Sequence, residues 1–267
     1  MNNPKIAMQS LEVNIVYSCN LKCEYCTHLG KYMKGCVSLD EIVLWYAAWH
    51  EKVHPELFTL LGGEPLLHPN LTEVLYATKE YWHNSEIQMV TNGLLLPTVP
   101  ESVWEALRKA NILVSISKHS IRPEFEQKLS LGIQCLEQRG IRCEIRPSYT
   151  WWMKSHRLDE SGRILPYCSD PEKAWKNCFV KHNCMTLMDG MIFRCPQIAC
   201  FTHAYNTGLL SEDWSFLREY RPLSPVASDV EIMEFLHKQA EPECRLCPEA
   251  FEYTTENEKL PLLENLL

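Results

Sequence analysis

The chain has 267 residues, 46% apolar and 22% charged, enough for one large domain or a medium one with a small companion. No apolar run approaches the ~18 residues of a membrane span, and a net charge of −8 repels phosphates, so neither a membrane nor a nucleic acid is expected as a partner. Thirteen cysteines accompany an N-terminus that lacks the basic stretch and apolar core of an export signal, which points to reduced thiols in the cytoplasm, several of them on metal.

Strand-like and helical segments alternate over the first 147 residues. A strand at 11–17 is followed by a helix at 38–52, where Ser38 and Glu41 have capping-box spacing. Then come a strand at 56–61, a helix at 70–82 in which Asn70 and Glu73 repeat the cap pattern, and a strand at 86–91. A helix at 101–110, a strand at 112–117, a helix at 124–139 and a strand at 141–146 complete five strands separated by four helices. This alternation predicts an α/β fold of parallel strands with right-handed crossovers: a β/α barrel, part of one, or an open sheet. In each case the chemistry belongs at the C-terminal ends of the strands.

The pattern stops near Pro147, which divides the chain into 1–150 and 151–267. Tyr149, Trp151, Trp152 and Met153 follow the fifth strand, where they would wall a substrate site or fill an interdomain core. Beyond them a short helix at 171–177 precedes two apolar segments, 185–188 and 191–194, that flank Asp189-Gly190, a strong type I′ hairpin signal. A helix at 229–239 leads into Cys244 and Cys247.

Cys19, Cys23 and Cys26 form C-x3-C-x2-C on the loop after the first strand. Three thiolates can hold three corners of a [4Fe-4S] cube and leave one iron open. The alternative is a zinc site with a fourth ligand, for which His28 is nearest. Gly62-Gly63-Glu64-Pro65 ends the second strand, where side-chain-free backbone allows a ligand to approach closely and the carboxylate can accept from an amine.

The triplet together with this glycine motif resembles the radical S-adenosylmethionine (radical SAM) enzymes. The resemblance implies that the open iron binds the cofactor's amino nitrogen and carboxylate, and that electron transfer yields a 5′-deoxyadenosyl radical. It places Tyr25 backbone along the adenine and gives Gly62, Gly63, Glu64 and Pro65 the cofactor's amino group. It assigns Asn92, Ser115 and Ser117 to the ribose and methionyl carboxylate, and Arg146 to the carboxylate. It also implies an external electron donor such as flavodoxin or ferredoxin. An Asp common in the family after the strand-four serines is absent here, where Lys118 and His119 stand.

Cys178 and Cys195 enclose Gly190 as C-x11-G-x4-C, and Cys244 and Cys247 form C-x2-C. These resemble the SPASM and shorter Twitch extensions of radical SAM enzymes, which implies an auxiliary [4Fe-4S] cluster. Cys184 rivals these four as a ligand, and structural zinc is the competing occupant. The last two cysteines of a full SPASM pattern are Tyr253 and Asn257 here, so Twitch is the better match. Cys135 and Cys143 look like core positions of a helix and a strand; Cys36, Cys168 and Cys200 carry no assignment.

The expected architecture is a partial (β/α)6 TIM-like barrel with a small α+β iron-sulfur domain. The expected activity is hydrogen-atom abstraction from a small molecule, sugar or aminocyclitol in kind, followed by oxidation through the auxiliary cluster. A peptide-modifying enzyme and a non-catalytic zinc module are the alternatives. Only 18 residues precede Cys19, too few for a leader-peptide-binding domain, which favours the small molecule.

Overall fold

A computed structural model describes residues 5–149, 152–181 and 183–254; Trp151 and Asn257 lie outside the described residues. The elements run β1 (Ile6–Val16), α1 (Leu39–Trp49), β2 (Val53–Gly62), α2 (Leu71–Tyr81), β3 (Glu86–Thr91), α3 (Glu101–Lys109), β4 (Leu113–Ser117), α4 (Pro123–Gln138) and β5 (Cys143–Arg146). Each matches a predicted element to within a few residues, apart from β1, which starts five residues earlier. Short strands β6 (Trp152–Met153), β7 (Arg157–Leu158) and β8 (Ile164–Leu165) follow, then α5 (Pro171–Lys176) and the hairpin β9 (Met185–Met188) and β10 (Met191–Phe193). The chain continues through α6 (Pro196–Asn206), a 3-10 turn at Glu212–Glu219, α7 (Asp229–His237) and β11 (Tyr253–Thr254).

Local chemistry explains these boundaries. Ser38 and Glu41 close a reciprocal capping box on α1, as Ser228 and Glu231 do on α7. Asn70 departs from expectation: its side chain makes no cap hydrogen bond, although α2 still begins beside it. Asp189 and Gly190 both have positive φ, +52° and +75°, as the predicted hairpin turn requires.

The main sheet has the order β10-β9-β1-β2-β3-β4-β5, parallel except for β10. Six parallel strands thus make the partial barrel, with β9 rather than a sixth βα unit beside β1. The predicted hairpin therefore extends the first sheet, and Leu11 pairs with Met185. Because β5 and β10 are the two edges of the sheet and do not pair, the barrel stays open between them.

Helices α1 to α4 cover the outer sheet face in one apolar core built around residues such as Trp49, Phe58, Leu107 and Ile116. The inner face carries a polar row, in which Gln88 donates to Thr59 (2.8 Å) and receives from Arg146 (3.0 Å), while Ser115 donates to Glu144 (2.8 Å). A second core gathers Phe193, Phe201 and Trp214 with Leu29 and Met33 from the cysteine loop, so the later half of the chain anchors that loop. Cys143 corrects an expectation: it is exposed on β5, because the inner-face pattern leaves this edge strand little cover.

Candidate active site

β1 ends at Val16 and delivers Cys19, Cys23 and Cys26 to the C-terminal rim of the sheet. The loop is stitched to its neighbours through the backbone: Gly63 N–H donates to Val16 O (2.7 Å) and Glu64 N–H to Ser18 O (2.9 Å). That close approach demands glycine. A Cβ on Gly62, which has φ +150°, would sit 2.2 Å from Val16 O, and one on Gly63 would sit 2.2 Å from Ser18 O.

The three cysteines bound one cavity of about 90 Å³, closed on its other sides by Gly62, Gly63, Asn92, Ser117, His119 and Trp152. The donor set fits the expected group: three thiols face one space and a wall without side chains faces it from β2. Burial pushes the Cys19 thiol well above the usual range, so metal binding must displace a proton there. Leu21 N–H also points at Cys19 Sγ (3.4 Å).

Other predicted site residues are placed as follows. Glu64 is fully buried and its carboxylate already accepts from Thr91 Oγ1 (2.6 Å), Asn92 N (2.9 Å) and Leu66 N (3.1 Å). It thereby joins the glycine turn to the end of β3, and burial raises its pKa to about 6. Pro65 opens the short 3-10 turn behind it. Asn92 donates to Asn20 Oδ1 (2.7 Å), tying the cysteine loop to β3. Tyr25 takes the left-handed φ of +58°, and its carbonyl receives the Trp152 indole N–H (3.1 Å). Ser117 lines the cavity, but Ser115 lies a layer below it, bound to Glu144. Arg146 pairs with Glu144 (2.6 Å) outside the cysteine cavity.

A second, larger cavity of about 400 Å³ occupies the opening between β5 and the later half. It shares His28, Ser117 and Trp152 with the first cavity, and Arg146, Ser148 and Phe179 extend its wall. His28 Nε2 finds no hydrogen-bond partner among the described residues, and burial lowers the His28 pKa to about 4, leaving the ring neutral. Gln197 is buried, with Oε1 likewise unpartnered. Sequence reasoning missed Gln197, because nothing in the pattern 195–206 marked α6 as a helix buried almost all round.

Cys178, Cys195, Cys244 and Cys247 line a third cavity, about 40 Å³ and mostly apolar, which shares Met153, Val180 and Gln197 with the second. Cys184 does not line it; burial, and after it the negative charge of Glu12, push its thiol up to about 12. Among the described residues no three His, Cys, Asp or Glu side chains converge on a point that one ion would occupy. Four thiols in one wall are the donor set of either a four-iron cube or a four-thiolate zinc site.

Among the described residues no helix is long and apolar enough to cross a membrane. Residues 13–143 match the family model described as the Radical SAM superfamily. The chain is 30% identical over 148 residues to the GTP 3′,8-cyclase of Nostoc sp. (strain PCC 7120 / SAG 25.82 / UTEX 2576), covering 49% of this chain and 44% of that one. It is also 30% identical over 174 residues to the probable GTP 3′,8-cyclase of Methanococcus aeolicus, covering 60% and 56% respectively. The chain thus spans about half the length of these curated relatives. The solved structure of BtrN in complex with AdoMet and 2-DOIA shares the fold over 97% of this chain and 98% of its own, at a TM-score of 0.52 and 15% identity. With the cysteine triplet and glycine turn meeting at the rim of a partial barrel, and with the family model covering residues 13–143 of it, the chain belongs to the radical SAM superfamily and uses a [4Fe-4S] cluster with S-adenosylmethionine.

Proposed function

We propose that this enzyme takes a hydrogen atom from a small hydroxylated molecule held in the 400 Å³ cavity, and that an auxiliary four-iron cluster on Cys178, Cys195, Cys244 and Cys247 then removes an electron from it. The observation carrying this reading is the adjacency of the three cavities: the central one shares wall residues with the three-cysteine space on one side and the four-cysteine space on the other.

Cys19, Cys23 and Cys26 would hold the four-iron cluster, which together with S-adenosylmethionine would supply the hydrogen-abstracting radical chemistry. The chain's own residues do the rest. Gly62 and Gly63 let the cofactor's amino group reach backbone carbonyls, with Glu64 fixing the turn from behind through its three donors. Asn92 and Ser117 present polar atoms to the ribose and methionyl side. Trp152 roofs both spaces and keeps water from the reacting centre. His28 and Gln197 offer unpaired buried acceptors to substrate hydroxyls, which a site built for hydrogen bonding rewards.

A second reading, cyclisation of GTP, is favoured by the identity with the cyclases over about half of the chain. The central cavity argues against it. A triphosphate calls for several basic donors, whereas Arg146 is the one cation among the described residues of this wall and already pairs with Glu144.

Anaerobically reconstituted protein should bind about eight irons per chain as two cubes. Formation of 5′-deoxyadenosine should rise with polyhydroxylated metabolites and not with GTP. GTP-dependent turnover would establish the second reading instead, and about four irons would remove the auxiliary cluster.

A further inference from the structure

Arg194 directly precedes Cys195 and lines the four-cysteine cavity, yet it is only 4% exposed. Its guanidinium donates to three carbonyls at the end of α7: Phe235 O (2.7 Å), Leu236 O (3.2 Å) and Lys238 O (2.7 Å). The rings of Trp175 and Phe235 lie 5.3 and 5.9 Å from it. Among the described residues no carboxylate forms an ion pair with it, so carbonyl dipoles and π faces are its only compensation. A cation buried on those terms is costly unless negative charge arrives nearby.

The four thiols supply that charge once they ligate iron. Arg194 shares the cavity wall with one other cation among the described residues, Lys181, whose ammonium donates to the carbonyls of Trp175 (3.3 Å) and Lys176 (2.8 Å). The N-terminus of α6 adds a further positive influence, because Cys195 is its N-cap residue and Ile198 N–H points at Cys195 Sγ (3.5 Å). Opposing these, Glu241 and Glu243 stand in the same wall; Glu241 Oε1 pairs with Lys238 (3.2 Å) while Oε2 has no hydrogen-bond partner among the described residues.

We propose that Arg194, the buried one of the two cations in this wall, is a built-in counter-charge of the auxiliary cluster and raises its reduction potential, fitting it to accept an electron from the substrate. This rests on the auxiliary-cluster reading above. Reduction of that cluster takes up one electron, forms and breaks no bond, and adds one negative charge to the site. A fixed cation in the low-dielectric wall of the same cavity favours the more negative state, so the potential moves positive. Because Arg194 touches backbone and rings rather than iron, it acts as a positioning residue for charge.

The test is a paramagnetic-resonance redox titration of the reconstituted full chain, comparing wild type with Arg194→Gln, Arg194→Lys and Glu241→Gln. Arg194→Gln should move the auxiliary midpoint negative while the first cluster's midpoint stays put. Arg194→Lys, which keeps charge but loses the planar fork, should stay close to wild type even though its melting temperature falls. An unmoved midpoint in Arg194→Gln, or an equal shift in Arg194→Lys, overturns the proposal and leaves only a cap on α7. Glu241→Gln, which removes a charge of the opposite sign from the same wall, should move the midpoint the other way as a control. If Arg194→Gln fails to load the second cluster, Arg194→Lys decides: loading at a midpoint close to wild type supports the proposal, and failure of both variants to load overturns it. A wild-type chain with about four irons overturns the auxiliary-cluster reading and this proposal with it.

Discussion

The two cysteine cavities are built in opposite ways. The first draws its thiols from one loop, residues 19–26, and shares a backbone hydrogen-bonded turn with β2. The second gathers Cys178, Cys195, Cys244 and Cys247 from three separate segments and surrounds them with apolar surface. A site made by one loop is shaped by its own turns and neighbours, whereas one made across long loops depends on the fold and in turn supports it. Three thiols leave a coordination position for a cofactor, and four close the cube.

The largest effect should come from emptying the first cavity. Replacing Cys19, Cys23 and Cys26 together by Ala should abolish 5′-deoxyadenosine formation to background, while the second set still binds about four irons. Loss of both clusters on iron analysis would show that the two sites are not independent.

Next in size, Cys178→Ala should remove about four irons and lower the melting temperature by several degrees. Cys184→Ala, outside the cavity, should keep them. Equal iron loss in both variants would erase the distinction drawn between those two cysteines.

Glu64→Gln tests the turn that shapes the first cavity. The amide must turn its NH2 toward one of the donors Thr91, Asn92 or Leu66, which should cost about 1–3 kcal/mol. Denaturant unfolding reads that loss, and S-adenosylmethionine affinity should fall with it. Unchanged stability would mean that the carboxylate does not hold the turn.

The smallest effect concerns the strand that both regions lean on. Burial raises the Glu12 pKa to about 7, opposed by the Thr186 hydroxyl at 2.9 Å. A carboxyl raised this way binds its proton more tightly in the folded chain, so its stability contribution is full below about 4.5 and is lost as pH rises through about 7. Thermal stability should therefore fall by up to about 3 kcal/mol between those limits, and Glu12→Gln should flatten the profile. A melting temperature that rises across the window in the wild type would reverse the assignment.

What could be read in advance follows the same division. The five strands and four helices of the first half were legible because helix caps, strand periodicity and the triplet's spacing are local: Ser38 with Glu41 and Asp189 with Gly190 behave as their types dictate. The glycine turn was legible for the same reason, but the three donors on Glu64 were not, because Thr91 and Asn92 come from another strand. Trp152 at the roof of two cavities and Gln197 on α6 depend on tertiary placement that no spacing encodes. Nor did anything in 185–193 announce β1 as its partner, since β-pairing between distant segments leaves no periodic trace.

That last pairing bears on how the molecule is made. During synthesis β1 and β2 can associate early, but the other edge of β1 must wait until the segment around Met185 has emerged. Until then Leu11 to Val13, completely or largely apolar at two of three positions, presents an unpaired strand edge of the kind that recruits other chains. The same late contact that brings Leu29 and Met33 under the second core completes the cysteine loop's support, so the radical centre, though encoded near the start of the chain, is among the last features to become rigid.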